Sequence, residues 1–159
     1  MRLSQKLFLV FWLGFCFSTA AAQYRFDSWT ADDGLPQNSI FSIEQTPDGF
    51  LWLTTLDGLV RFDGVKFTVF NKGNSKNLAG NRLTNLFAET DGTLWLGTEE
   101  SGLARYRDGR FQTFTTADNL PSNEIRQVSK DLDGSLLIFT GDGLARWRDG
   151  RFSIERRGD

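Results

Sequence analysis

A stretch of about forty residues is written three times in this chain, and that repetition limits the fold more than any other feature. Asp48 to Gly64 reads DGFLWLTTLDGLVRFDG, Asp91 to Gly109 reads DGTLWLGTEESGLARYRDG, and Asp133 to Gly150 reads DGSLLIFTGDGLARWRDG. The opening Asp-Gly pairs lie 43 and then 42 residues apart, and Asn38, Asn81 and Asn123 keep the same steps, as do Leu35, Leu78 and Leu120. Gly58, Gly102 and Gly143 repeat less evenly, at 44 and 41. A period of this size belongs to propeller blades or to solenoids of helical pairs, and a unit of either kind must be covered by its neighbours.

The local pattern selects strands. In the first copy the apolar residues fall in four short runs, 40–43, 50–53, 59–62 and 67–70, with no helical spacing sustained over a dozen residues. Trp, Phe, Val, Ile and Thr dominate these runs, as suits a pleated, half-buried surface. Pro47-Asp48-Gly49 and Asp63-Gly64 are hairpin signals, because Gly accepts the positive φ of a tight turn. The expected fold is therefore all-β: three four-stranded antiparallel propeller blades, at about residues 38–70, 81–114 and 123–154, in an incomplete ring. Trp52 and Trp95, with Leu137 in register, are expected to pack between blades, as are Phe62, Tyr106 and Trp147.

The segment ahead of the first copy matches the end of the second. Phe26, Trp29, Thr30, Leu35 and Pro36 align with Phe111, Phe114, Thr115, Leu120 and Pro121. This predicts an additional, outermost strand at Phe26–Thr30, for thirteen in all. Propellers close with roughly four to eight blades, and such a strand commonly completes the last one. The third copy already has a fourth-strand candidate in Phe152-Ser153-Ile154. Either further blades or a homo-oligomer would then close the ring.

Arg2 and Lys6 precede the apolar run Leu7–Phe17 and the small-residue site around Ala20 and Ala22, which predicts a signal peptide over residues 1–22. The run is shorter than the roughly 20 residues of a membrane span. Membrane attachment would need either an uncleaved signal or a segment outside this sequence. Cys16, the single cysteine, lies inside this leader, so the remainder forms no disulfide and no thiolate metal site. Taking Arg2 and Lys6 from the 18 basic residues leaves 16 against 20 acidic ones, a net charge of 16 − 20 = −4. That sign disfavours nucleic acid, whose phosphates need a basic surface. Asp131-Leu132-Asp133-Gly134 lacks the further oxygen ligands of a calcium loop, so no metal or other cofactor is expected.

With those motifs in place, the chain from Tyr24 to about Ile154 resembles the two-component regulator propeller repeats, on GLPQNSIFSIEQTPDGFLWLTTLDGLVRFDGVKF and DGTLWLGTEESGLARY. The third copy departs from the pattern, with Leu-Leu-Ile-Phe-Thr at 136–140 in place of Leu-Trp-Leu-Gly-Thr. The resemblance implies a periplasmic or secreted sensor module, in some relatives for oligosaccharides, joined to a membrane span and a cytoplasmic output domain. The chain has no histidine and so cannot itself act as a phospho-accepting kinase. A free-standing secreted glycan-binding or assembly protein is the alternative. Catalysis is not expected, because it needs an unrepeated acid and base cluster and the carboxylates here mostly repeat in turns.

Positions that repeat are expected to be structural, and positions that vary near the first strands are free to recognise an oligosaccharide or other small ligand, the alternative being ordinary solvated loop residues. The candidates are Phe41, Arg82, Asn85, Glu124, Arg126 and Gln127. Arg82 and Arg126 offer forked donors to a carboxylate or sulfate, while Asn85 and Gln127 offer amides to hydroxyls. Asn38, Asn81 and Asn123 are expected to cap turns, and Arg61, Arg105 and Arg146 to have a structural partner in each blade.

Overall fold

Each copy of the repeat folds into one four-stranded antiparallel sheet with its strands in sequence order. The computed structural model describes residues 25–157; the expected signal peptide lies outside the described residues. Blade 1 comprises β1 (Ser42–Gln45), β2 (Leu51–Thr55), β3 (Gly58–Phe62) and β4 (Phe67–Phe70). Blade 2 comprises β5 (Leu83–Ala88), β6 (Leu94–Thr98), β7 (Leu103–Arg107) and β8 (Arg110–Phe114). Blade 3 comprises β9 (Ile125–Lys130), β10 (Leu136–Thr140), β11 (Gly143–Arg148) and β12 (Arg151–Arg157).

The repeated residues explain why each sheet forms. Thr55, Thr98 and Thr140 end the second strands, and their hydroxyls donate to the carbonyls of Gly58, Gly102 and Gly143 at 2.9, 2.7 and 2.8 Å, closing the turn into the third strand. Gly102 sits at φ +88, and a Cβ there would run into the Phe114 carbonyl. Only glycine lets the third strand come so close to the fourth. Asn38, Asn81 and Asn123 accept bonds from the backbone N–H of Ala31, Lys72 and Thr116 at 2.7, 2.7 and 3.0 Å, so their side chains do cap the connecting segments.

Two seams hold the blades together. Trp52 lies 5.2 Å from Tyr106 across the first, and Trp95 lies 5.4 Å from Trp147 across the second. The connecting segments add Leu78 to the first cluster and Leu120 to the second. Burying each such leucine contributes roughly 1.5–3 kcal/mol. The seams also set side-chain size. A Cβ on Gly97 would lie 3.0 Å from Ile125 of the next blade, whereas Phe139, at the same register in blade 3, is exposed. The third copy thus departs from the repeat at a position left exposed among the described residues.

The repeated arginines follow the same logic. Trp52, Trp95 and Leu137 stand opposite Arg61, Arg105 and Arg146 in the ladders. The Arg61 and Arg105 guanidiniums lie 5.8 and 5.7 Å from the Trp52 and Trp95 rings. In blade 3 the ring is absent, and Arg146 instead pairs with Asp131 at 2.8 Å and Glu155 at 3.1 Å.

The expected outermost strand is not formed. Phe26–Thr30 is no strand, so the described residues contain twelve strands rather than thirteen, together with two short 3-10 turns, Ala31–Asp33 and Thr116–Asp118. A strand exists only where another strand accepts its backbone bonds, and Phe26–Thr30 has no such neighbour. The likeness to the second copy survives in the turn. Thr30 and Thr115 both cap their 3-10 turns in reciprocal boxes, with Asp33 and Asp118.

Candidate functional site

The entrances to the first strands of blades 2 and 3 share a β-bulge. Pairing jumps from Leu83 to Asn85 opposite β6 and from Ile125 to Gln127 opposite β10, leaving Thr84 and Arg126 as the extra residues. Bulges re-aim side chains and recur at binding rims. Phe41 holds the equivalent register in blade 1; its N–H donates to Thr54 at 3.0 Å and its ring is half exposed.

Beside these entrances lies a groove of about 590 Å³ between blades 2 and 3, lined by Glu99, Glu100, Pro121, Ser122, Glu124 and Asp142, among others. The β6–β7 loop supplies Glu99 and Glu100, and Glu99 N–H donates to the Arg82 carbonyl at 3.0 Å. Gly141 N–H donates to the Glu124 carbonyl at 2.9 Å in the same way. Four carboxylates thus border the groove.

The arginines expected to seize an anion are already engaged. Arg82 makes a two-pronged bond to Glu99, its Nη2 reaching Oε1 at 3.2 Å. That bond holds the Glu99 carboxyl below its usual range and raises the Arg82 guanidinium above its own. Arg126 Nε donates to Glu124 Oε1 at 3.0 Å. Asn85 serves the seam: its Oδ1 accepts the Val128 N–H at 2.9 Å, tying blade 2 to blade 3. Gln127 is exposed on β9. The structure therefore places Glu124 in the groove lining, paired with Arg126, and pairs Arg82 with Glu99 of the same lining. Phe41 stands on blade 1, and Asn85 lies in the wall between blades.

Sequence reasoning missed Glu99, Glu100 and Asp142. Their signal was the uneven 44 and 41 step of the Gly-Leu pairs: the second copy has one more residue in this loop, Glu99-Glu100-Ser101 where the first has Leu56-Asp57. It also missed the acceptors of the buried indoles. Trp52 Nε1 donates to Thr46 Oγ1 and Trp95 Nε1 to Glu89 Oε1, both at 2.9 Å.

A wider groove of about 920 Å³ follows the outer edge of blade 2, past Arg105, Arg107 and Arg110. Arg105 there is held by Gln112 at 2.7 Å. Asp131 and Asp133, the calcium-loop resemblance, pair with Arg146 and Arg148.

Residues 34–57 match the family model described as two component regulator propeller. That stretch carries one such repeat. Histidine kinase P4 of Formosa agariphila is similar at 45% identity over 49 residues, 31% of this chain and 4% of that protein. The extracellular domain of a protein assigned to the hybrid two-component systems of B. thetaiotaomicron is similar over 84% of this chain and 20% of its own, at 23% identity and a TM-score of 0.75. Virginiamycin B lyase from Staphylococcus aureus is similar over 76% of this chain and 42% of its own, at 18% identity and a TM-score of 0.56. These two structures share the propeller fold with the described blades. The chain spans a small part of the length of the signalling proteins it matches.

Proposed function

We propose that this chain is the ligand-recognition part of an extracytoplasmic sensor in a two-component-type signalling protein, non-catalytic by itself and periplasmic or secreted. The observation that carries the reading is the match of residues 34–57 to the two component regulator propeller model, and the similarity of 49 residues to a histidine kinase supports it. The fold it shares with an extracellular domain from B. thetaiotaomicron supports the location. The chain would supply recognition, and an output domain outside this sequence would supply the response.

The groove between blades 2 and 3 would hold the ligand. Carboxylates accept hydrogen bonds and hydroxyls donate them, so a rim of Glu99, Glu100, Glu124 and Asp142 suits a neutral, hydroxyl-rich molecule such as an oligosaccharide. The paired state of Arg82 and Arg126 argues against a carboxylate or sulfate ligand. The engagement of Glu99, Asp131 and Asp133 in ion pairs supports recognition without turnover.

The test is a panel of neutral and acidic oligosaccharides examined by calorimetry against the secreted protein and its Glu124→Gln and Glu100→Gln variants. Binding of a neutral sugar that weakens about tenfold or more in either variant, with no product formed, is the expected result. Binding confined to acidic sugars, or hydrolysis of any sugar, overturns the reading.

A further inference from the structure

The same turn closes the outer hairpins of blades 2 and 3, but the arginines around it have different partners. Arg107-Asp-Gly-Arg110 repeats as Arg148-Asp-Gly-Arg151, and Arg105 stands where Arg146 does. In blade 3 carboxylates are close: Arg146 bonds Asp131 at 2.8 Å and Glu155 at 3.1 Å, and Arg148 bonds Asp133. In blade 2 they are not. Arg105 is held by the neutral Gln112, and Arg107 stays 3.6 and 3.7 Å from Asp108 and Asp91, beyond hydrogen-bond reach. Arg110 enters no ion pair among the described residues. These three arginines line the groove of about 920 Å³ along the outer edge of blade 2.

That groove also follows an open strand, since β8 is the last of its sheet. Asp108 and Gly109 lie at φ +50 and +76, as both central residues of a two-residue type I′ hairpin do, and Arg107 and Arg110 flank them as the first pair of the ladder. Such a closing pair exchanges both backbone bonds, and antiparallel pairs alternate from there. Arg110 and Gln112 therefore bond inward, while Phe111 and Thr113 turn their N–H and C=O groups outward. Side chains sort the same way. Arg107 faces Arg110 and Arg105 faces Gln112 across the ladder, so the cations share one face. On the other face Phe111 is buried and the Thr113 hydroxyl donates to the Asn77 carbonyl at 2.8 Å, beside Leu78 and Ala79.

We propose that the β8 edge is a docking site for an extended acidic segment of a partner protein, added as a fifth, antiparallel strand of blade 2. Its backbone would pair with Phe111 and Thr113, as an extended peptide adds to a sheet edge. Its residues opposite Arg110 and Gln112 would be carboxylates facing the three arginines, and those between them small or apolar, toward Leu78 and Ala79. Period two in the partner follows from period two in β8. A second β8 does not serve, because it brings the same cations to the shared edge, and like charges opposite each other destabilise a strand pair. The surface lies apart from the groove between blades 2 and 3 and does not depend on a sugar binding there.

The probe is the peptide Glu-Val-Glu-Val-Glu, blocked at both ends, titrated into the full chain and followed by NMR. The Phe111 and Thr113 amides are expected to shift saturably and to exchange with solvent at least about tenfold more slowly. Methylating both valine nitrogens removes the donors that would pair with β8 and is expected to abolish both effects. Arg110→Glu, in a protein with native circular dichroism, is expected to weaken binding at least about tenfold, and Arg110→Gln to weaken it less. Glu124→Gln is expected to leave peptide binding unchanged and Arg110→Glu to leave sugar binding unchanged, so either site can fail alone. Unmoved Phe111 and Thr113 amides at millimolar peptide overturn the proposal, as does undiminished binding in Arg110→Glu. Equal binding of the methylated peptide, or of an oligogalacturonate of the same charge, also overturns it, because the site would then accept any polyanion.

Discussion

Replacing Trp95 by leucine asks how much of the fold resides in the seam between blades 2 and 3, because blade 3 already carries leucine at that register. The indole is 1% exposed and has four kinds of partner. It faces Trp147 edge-on at 5.4 Å and stacks on Phe114 at 6.0 Å, pairs that contribute about 0.5–1.5 kcal/mol each beyond their buried area. Arg105 lies 5.7 Å from the ring, adding about 0.5–1 kcal/mol. The bond from Nε1 to Glu89 adds about 1 kcal/mol net. Leucine retains part of the apolar contact, so Trp95→Leu is expected to destabilise by about 2–4 kcal/mol, and Trp95→Ala by about 3–5 kcal/mol. Urea unfolding followed by circular dichroism measures the difference, and the thermal midpoint should fall by on the order of 10 °C. The reverse change, Leu137→Trp, adds a ring to an uncovered face and should alter stability by less than about 1 kcal/mol. A loss below about 1 kcal/mol for Trp95→Leu would refute the reasoning, since it would mean the aromatic seam does not hold the blades.

Asn85→Ala should cost about 1 kcal/mol by leaving the Val128 N–H without its acceptor, and should leave sugar binding unchanged; denaturation and calorimetry on one preparation check both. Gly102→Ala should destabilise by about 2 kcal/mol or more, because it adds a Cβ against the Phe114 carbonyl at positive φ, and thermal unfolding reads the loss. Asp133 should titrate at about 2, chiefly because the Ser135 hydroxyl and backbone N–H bond its carboxylate. A depressed carboxylate stabilises the fold above its unfolded value of 3.8, so this contribution should fade as pH falls from about 4 to about 2, and an NMR titration showing a midpoint near 3.8 would contradict it.

The blades were legible because their determinants are local and written three times. Strand runs, Asp-Gly turns and the capping asparagines each depend on residues within one period. Phe26–Thr30 misled because its resemblance to Phe111–Thr115 is real in side chains, while strand formation depends on a partner that sequence does not display. The site was read less well for a related reason. Arg82 and Asn85 vary among copies, as recognition residues would, yet their partners Glu99 and Val128 come from the β6–β7 loop and the next blade. Variation marks a residue released from the repeat, and only geometry tells whether a ligand or a neighbouring side chain claims it.

The register shared by Thr54, Gly97 and Phe139 sets how near one sheet can stand to the next. Glycine in the middle copy lets Ile125 press to within 3.0 Å of where a Cβ would be. The phenylalanine of the last copy acts as a spacer. Any polypeptide stacked onto that end must offer a side chain smaller than isoleucine opposite Phe139, or sit farther out, widening the gap at the inner end of the stack. Curvature along the array would then be decided by one side-chain volume per step.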